Sequence, residues 1–120
     1  MGVPSSAASY AAGQDLAPAA LRSAGLFARL VAAGLEVRDE GDLPHQIWKP
    51  DREHPLAQNA DQATASVREL ADRLGPLLAH GDFALVLGGN CTIVLGIMAA
   101  LRRLGDGTPG LRSPGAATRP

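Results

Sequence analysis

Apolar positions along this chain recur at two periods. Leu21, Leu26, Leu30 and Val31 fall near helical spacing behind Asp15-Leu16-Ala17-Pro18, where a proline in the first turn costs no helical hydrogen bond. Gly34 follows as a C-terminal cap, so one helix is expected between Asp15 and Gly34. Leu35-Glu36-Val37-Arg38-Asp39 alternates apolar and polar residues, as a short strand does. Glu40 to Gln58 carries three prolines and two histidines and reads as loop. Val67, Leu70, Leu74, Leu77 and Leu78 form one stripe of a second helix, capped by Asn59 or Asp61, with Pro76 near its end. Phe83-Ala84-Leu85-Val86-Leu87 is a continuous apolar run, the pattern of a strand buried on both faces. Gly88-Gly89 ends it, and a third helix places Val94, Ile97, Met98, Leu101 and Leu104 on one face. Gly2 to Gly13 reads as loop, following a strand at or before the first residue. Helices alternating with strands imply a parallel α/β sheet.

Composition narrows the classes. The 120 residues hold 11 basic and 12 acidic side chains, a net charge of −1, which argues against nucleic acid as a partner. No apolar stretch is long enough to span a bilayer, so no membrane partner is expected. The first residues lack the basic and apolar regions of a secretory leader, and a cytoplasmic location is the expectation. A single cysteine, Cys91, rules out an internal disulfide and any multi-cysteine zinc site. Aromatic residues make up 3%, so the core must rest on Leu, Val, Ile and Ala. Residues 111–120, Leu111 to Pro120, have no apolar period and read as a disordered or frameshifted tail behind a folded portion of residues 1–110.

The sharpest local feature is Gly88-Gly89-Asn90-Cys91-Thr92. Ligands of open α/β sheets bind beyond the carboxyl ends of strands, and glycines there let backbone approach closely. Cys91 at the start of a helix is a metal-ligand or nucleophile candidate, because the helix dipole favours a thiolate. As a bland alternative, Cys91 is a small hydrophobe and Asn90 and Thr92 are helix caps. The loop from His45 to His54 offers imidazole and carboxylate groups in no compact metal-binding spacing, and a solvated loop is the simpler reading. Arg22 and Arg29 are expected to solvate a helix face. Neither a Walker lysine nor a dinucleotide-binding glycine spacing occurs.

Three segments in order resemble the arginase/agmatinase/formiminoglutamase (ureohydrolase) family. They are Gly2-Val3-Pro4-Ser5-Ser6 with Gly13-Gln14-Asp15 and Ala17 to Leu26; Gly34 to Leu43, similar to "G-x-x-V-x-D-x-G-D"; and Leu85 to Ile93, similar to "LGGDHS". The resemblance implies a three-layer α/β/α fold around a parallel sheet, here truncated. It also implies two manganese ions bridging a hydroxide that attacks a guanidino or amidine carbon and breaks a C–N bond. Cys91 stands where the family has its metal-ligating His, making Cys91 the metal-ligand candidate of this chain. Asn90 replaces the Asp and Thr92 the Ser. Thiolate is a softer donor than manganese prefers.

The family's "D-x-H-x-D" segment, expected after Gly110, and its later "D-x-D" pair do not occur in this sequence. A shift of coding frame or an early end is the expected reason. The resulting expectation is the N-terminal part of a hydrolase for a small guanidino or amidine substrate, inactive as this chain alone, with a homo-oligomer as a further partner class. One alternative is a non-catalytic remnant serving as a subunit or interaction module. Another is a thiol enzyme built on Cys91.

Overall fold

A computed structural model describes residues 1–105. The expected tail at residues 111–120 lies outside the described residues, as do the last positions of the expected folded portion. The sheet consists of β1 (Gly2–Val3) and β2 (Leu87–Gly88), paired in parallel with Gly2 opposite Leu87 and Val3 opposite Gly88. Backbone hydrogen bonds extend that pairing beyond the two-residue strands. Leu87 N–H donates to Met1 C=O at 2.9 Å, Gly89 N–H to Val3 C=O at 3.0 Å, and Asn90 N–H to Ser5 C=O at 3.0 Å.

The other edge of β1 meets residues 41–46. Gly2 N–H donates to Gly41 C=O, Leu43 N–H to Gly2 C=O, Gln46 N–H to Pro4 C=O and Ser6 N–H to Gln46 C=O, all at 2.8 to 3.0 Å. Parallel bridges join Gly2 to Asp42 and Ser5 to Gln46. The first residues of the chain are therefore the central strand, where a loop was expected. Hydrogen-bond partners on both flanks satisfy the backbone of a segment that is buried from Met1 to Ala7.

Helices α1 (Ala17–Ser23), α2 (Leu26–Ala32), α3 (Ala60–His80) and α4 (Ile93–Leu104) complete the fold, with a 3₁₀ turn at Gln14–Leu16. The single helix expected between Asp15 and Gly34 is two. Gly25 sits at φ 80°, a left-handed conformation that ends the α1 register. The strand expected at Leu35–Asp39 does not form. Leu35 is 55% exposed there, and the chain joins the sheet six residues later, where Leu43 turns into the core.

Helix α3 matches its predicted stripe. Leu70 and Leu74 are buried, Leu77 and Leu78 pack beside them, and Pro76 is accommodated within the helix. Each fully buried leucine contributes about 1.5–3 kcal/mol of apolar burial. The core gathers Met1, Val3, Leu43, Leu70, Ala71, Leu74 and Ala100, so it lies between the central strand and the α3–α4 pair.

Helix α4 turns a different face inward than its leucines suggest. Gly96 and Ala100 are buried and Ile93 and Ile97 pack on the core, whereas Val94, Met98, Leu101 and Leu104 are exposed. A Cβ on Gly96 would lie 2.9 Å from the Val67 carbonyl oxygen and 2.9 Å from Leu70 Cδ2. Close helix approach at small residues outweighs the larger apolar face in setting the rotation of α4. The run Phe83–Leu87 is likewise half-covered: Leu87 is buried, but Phe83 is 94% exposed.

Candidate functional site

The carboxyl ends of β1, β2 and residues 41–46 lead into one region. Ser5 and Ser6 arrive from the central strand, Gly88-Gly89-Asn90 from β2, and His45 and Gln46 from the flanking segment. This is where open parallel sheets bind ligands. A Cβ on Gly89 would fall 2.0 Å from the Ser5 carbonyl oxygen, and one on Gly88 would fall 2.1 Å from Ile93 Cδ1. Gly89 thus excludes a side chain because it meets backbone, whereas a Cβ on Gly88 meets only the movable tip of Ile93.

Beyond them, Asn90 is buried and Cys91 is exposed. Asn90 Oδ1 accepts the Thr92 N–H at 3.0 Å and the Thr92 hydroxyl. Its Nδ2 is buried without a partner. Asn90 thus closes an Asx turn just ahead of α4. The N-cap of α4 is Thr92, which makes no side-chain capping bond, so the helix-cap reading of the two residues holds only as this turn.

Neighbouring side chains form a polar network that sequence periodicity did not reveal. The Gln46 side-chain carbonyl accepts Ser66 Oγ–H at 2.7 Å and Ser5 Oγ–H at 3.3 Å. Ser6 Oγ accepts the Trp48 N–H at 2.9 Å. Asp15, 4% exposed, accepts the Gly13 N–H at 2.8 Å and sits 2.6 Å from His45 Nε2. The Ser6 hydroxyl, then the His45 ring, hold the Asp15 carboxyl well below the usual carboxylate range, against the opposing effect of burial. These contacts clamp the 3₁₀ turn and the 41–46 segment onto the end of the central strand. Nothing in the local pattern of small polar residues distinguishes such a clamp from a loop.

The other expected donors are dispersed. His54 pairs with Asp51 at 3.0 Å within its own loop. Arg22 does not merely solvate a helix face: it bridges Asp39 at 3.0 Å and Asp42 at 2.7 Å, holding α1 against the segment that enters the sheet. Asp39 is correspondingly lowered from its ordinary value, chiefly by the Arg22 hydrogen bond. Among the described residues, no three His, Cys, Asp or Glu side chains come together as a metal-holding group, and Cys91 is a free, exposed thiol. No helix among these residues is long and apolar enough to cross a membrane.

Comparison with known proteins accounts for this layout. The Arginase family model matches residues 1–111. An arginase of Brevibacillus brevis is 33% identical over 107 residues, covering 86% of this chain and 35% of the relative. An arginase of Bacillus subtilis strain 168 is 32% identical over 99 residues, covering 82% of this chain and 33% of the relative. A crystal structure of Bacillus subtilis arginase superposes with a TM-score of 0.71 at 29% identity, over 85% of this chain and 32% of that one. The chain thus spans about a third of the length of the relatives it matches. Sequence match and shared parallel α/β architecture agree, and the chain belongs to the arginase family.

Proposed function

We propose that this chain provides the N-terminal third of a cytoplasmic arginase-family hydrolase that breaks a C–N bond in a small linear guanidino or amidine compound. The observation that carries the reading is the family match over residues 1–111, joined to a strand-end turn of the family's Gly-Gly form at Gly88-Gly89. The exposed apolar surface supports it: Phe83, and Val94, Leu95 and Met98 on α4, are more than a third exposed. Large apolar side chains left this exposed, three of them within five residues of α4, suit a face that packs against further polypeptide.

In the family, two manganese ions would supply an activated hydroxide. The donors among the described residues do not fit that pair. Hard divalent cations want about six oxygen or nitrogen donors each, and here a single soft thiol stands apart from any cluster. The contribution of this chain is positional: its clamped central strand and close-packed α3–α4 pair fix where the strand ends point. By itself the chain is inactive.

The test is to extend residues 1–105, carrying N90D and C91H, with the remaining two-thirds of the Bacillus subtilis arginase. Urea release from arginine or another guanidino compound is the expected result. A chimera that folds, by circular dichroism and gel filtration, but releases no urea overturns the proposal. A second reading, a non-catalytic subunit, is favoured by the same exposed apolar face. It predicts a monodisperse assembly of the unextended chain in gel filtration, where a broken piece aggregates.

A further inference from the structure

We infer that the corner at the start of α4 holds no manganese in this protein and has become a purely structural helix start. The inference rests on the proposed function and on the sequence resemblance, in which Cys91 falls where the family has a metal-ligating His. Around that position the Asn90 side chain and the neighbouring backbone N–H groups are of the wrong chemistry for a hard cation or already engaged. Asn90 carries no charge. Its one acceptor, Oδ1, takes both the Thr92 N–H and the Thr92 hydroxyl. Its other side-chain atom, Nδ2, is a donor, buried and unpartnered. A cation beside a buried amide N–H group meets repulsion where a carboxylate oxygen would attract it.

The backbone is also committed, since Asn90 N–H donates to Ser5 C=O at 3.0 Å and Gly89 N–H to Val3 C=O at 3.0 Å. The side chain left unengaged is the exposed Cys91 thiol, a soft donor that ranks low for manganese. His45 and Asp15, two donors that suit a hard cation, are spent on each other at 2.6 Å. What these contacts do accomplish is to order the first turn of α4, whose early N–H groups have no intrahelical partners.

Two measurements on the 120-residue chain test this. In the first, manganese is titrated and the free aqueous ion is followed by its electron paramagnetic resonance signal. The expected trace overlays that of buffer. Any deficit is expected to survive C91A, which would place it elsewhere on the surface. A deficit of one ion per chain that C91A abolishes overturns the inference, and strengthens rather than weakens the hydrolase reading. In the second, amide hydrogen exchange is followed across Thr92–Leu95. Loss of the Asn90 Oδ1 acceptor in N90A is expected to speed exchange there roughly fivefold, the value of one hydrogen bond of about 1 kcal/mol, and N90D, which keeps an acceptor, is expected to retain protection. Unchanged exchange in N90A contradicts the structural role.

Discussion

Replacing Gly89 by Ala tests how tightly the strand-end turn is built. A Cβ at this position would lie 2.0 Å from the Ser5 carbonyl oxygen, 2.8 Å from its carbonyl carbon and 2.9 Å from its nitrogen. All three are backbone atoms of the central strand, so no side-chain rotation can relieve the overlap. The strands must separate locally, at the expense of the Gly89–Val3 and Asn90–Ser5 hydrogen bonds, each 3.0 Å long. Overpacking costs about 1–3 kcal/mol, and each weakened hydrogen bond about 0.5–1.5 kcal/mol. The smaller entropy of the unfolded alanine chain returns about 0.4–1 kcal/mol. The net is a loss of roughly 3 kcal/mol, a large share of the ~5–15 kcal/mol typical of a domain.

Urea denaturation followed by far-ultraviolet circular dichroism reads this as a lower midpoint at unchanged slope. Gly105→Ala is the control, because Gly105 faces open space in extended backbone at φ −138°. Its midpoint is expected to stay within about 0.5 kcal/mol of the parent. A Gly89→Ala chain as stable as the Gly105→Ala chain would refute the close approach of β2 to the central strand.

Leu70→Ala should cost about 2–5 kcal/mol in the same assay, since Leu70 is fully buried between α3 and α4; a change under about 1 kcal/mol would contradict that packing. Gly96→Ala sets a helix-propensity gain of about 1 kcal/mol against contact at 2.9 Å with the Val67 carbonyl oxygen. The steric side is expected to win, and a raised midpoint would show that the helices have room. Asp15 and Asp39 both have folded values depressed below those of the unfolded chain. Their stabilisation is therefore present above the unfolded value near ~4 and is lost as pH falls toward the folded values. Stability should decline below about pH 4, and Asp15→Asn should flatten that decline; an identical acid profile would remove Asp15 from the account.

Much of the helical half of the fold is legible in the sequence because its signals are long. The α3 stripe from Val67 to Leu78 spans three turns, enough for one face to be unambiguous. The strands are legible only in part: the apolar run Phe83–Leu87 announces a strand, of which the ladder takes up Leu87 and then Gly88. β1 and β2 are two residues each, shorter than any alternation can announce, and the central strand is Gly-Val-Pro-Ser-Ser, a composition that reads as loop until neighbours on both sides supply its hydrogen bonds. Leu35-Glu36-Val37-Arg38-Asp39 shows the reverse case, an alternating pattern with no strand beside it.

At the site, the Gly88-Gly89 turn and the position of Cys91 were readable from the break in the apolar run. The Ser6–Asp15–His45 contacts were not, because they join residues 9 and 30 positions apart through polar groups without periodicity. The apolar residues of α4 misled for a related reason: which face turns inward was decided by Gly96, whose lack of a side chain gives no hydrophobic signal.

As proposed, this chain keeps the scaffold of an arginase-family sheet while Asn90 and Cys91 no longer form a hard-metal corner. The most direct measurement compares two chimeras, each joining residues 1–105 to the remaining two-thirds of the Bacillus subtilis arginase, one unmodified and one carrying N90D and C91H. Urea release with manganese should be at least ~10-fold slower in the unmodified chimera, with matching circular dichroism showing that both fold. Equal rates in the two would contradict the account, because Asn90 and Cys91 would then serve manganese as well as the family's own pair.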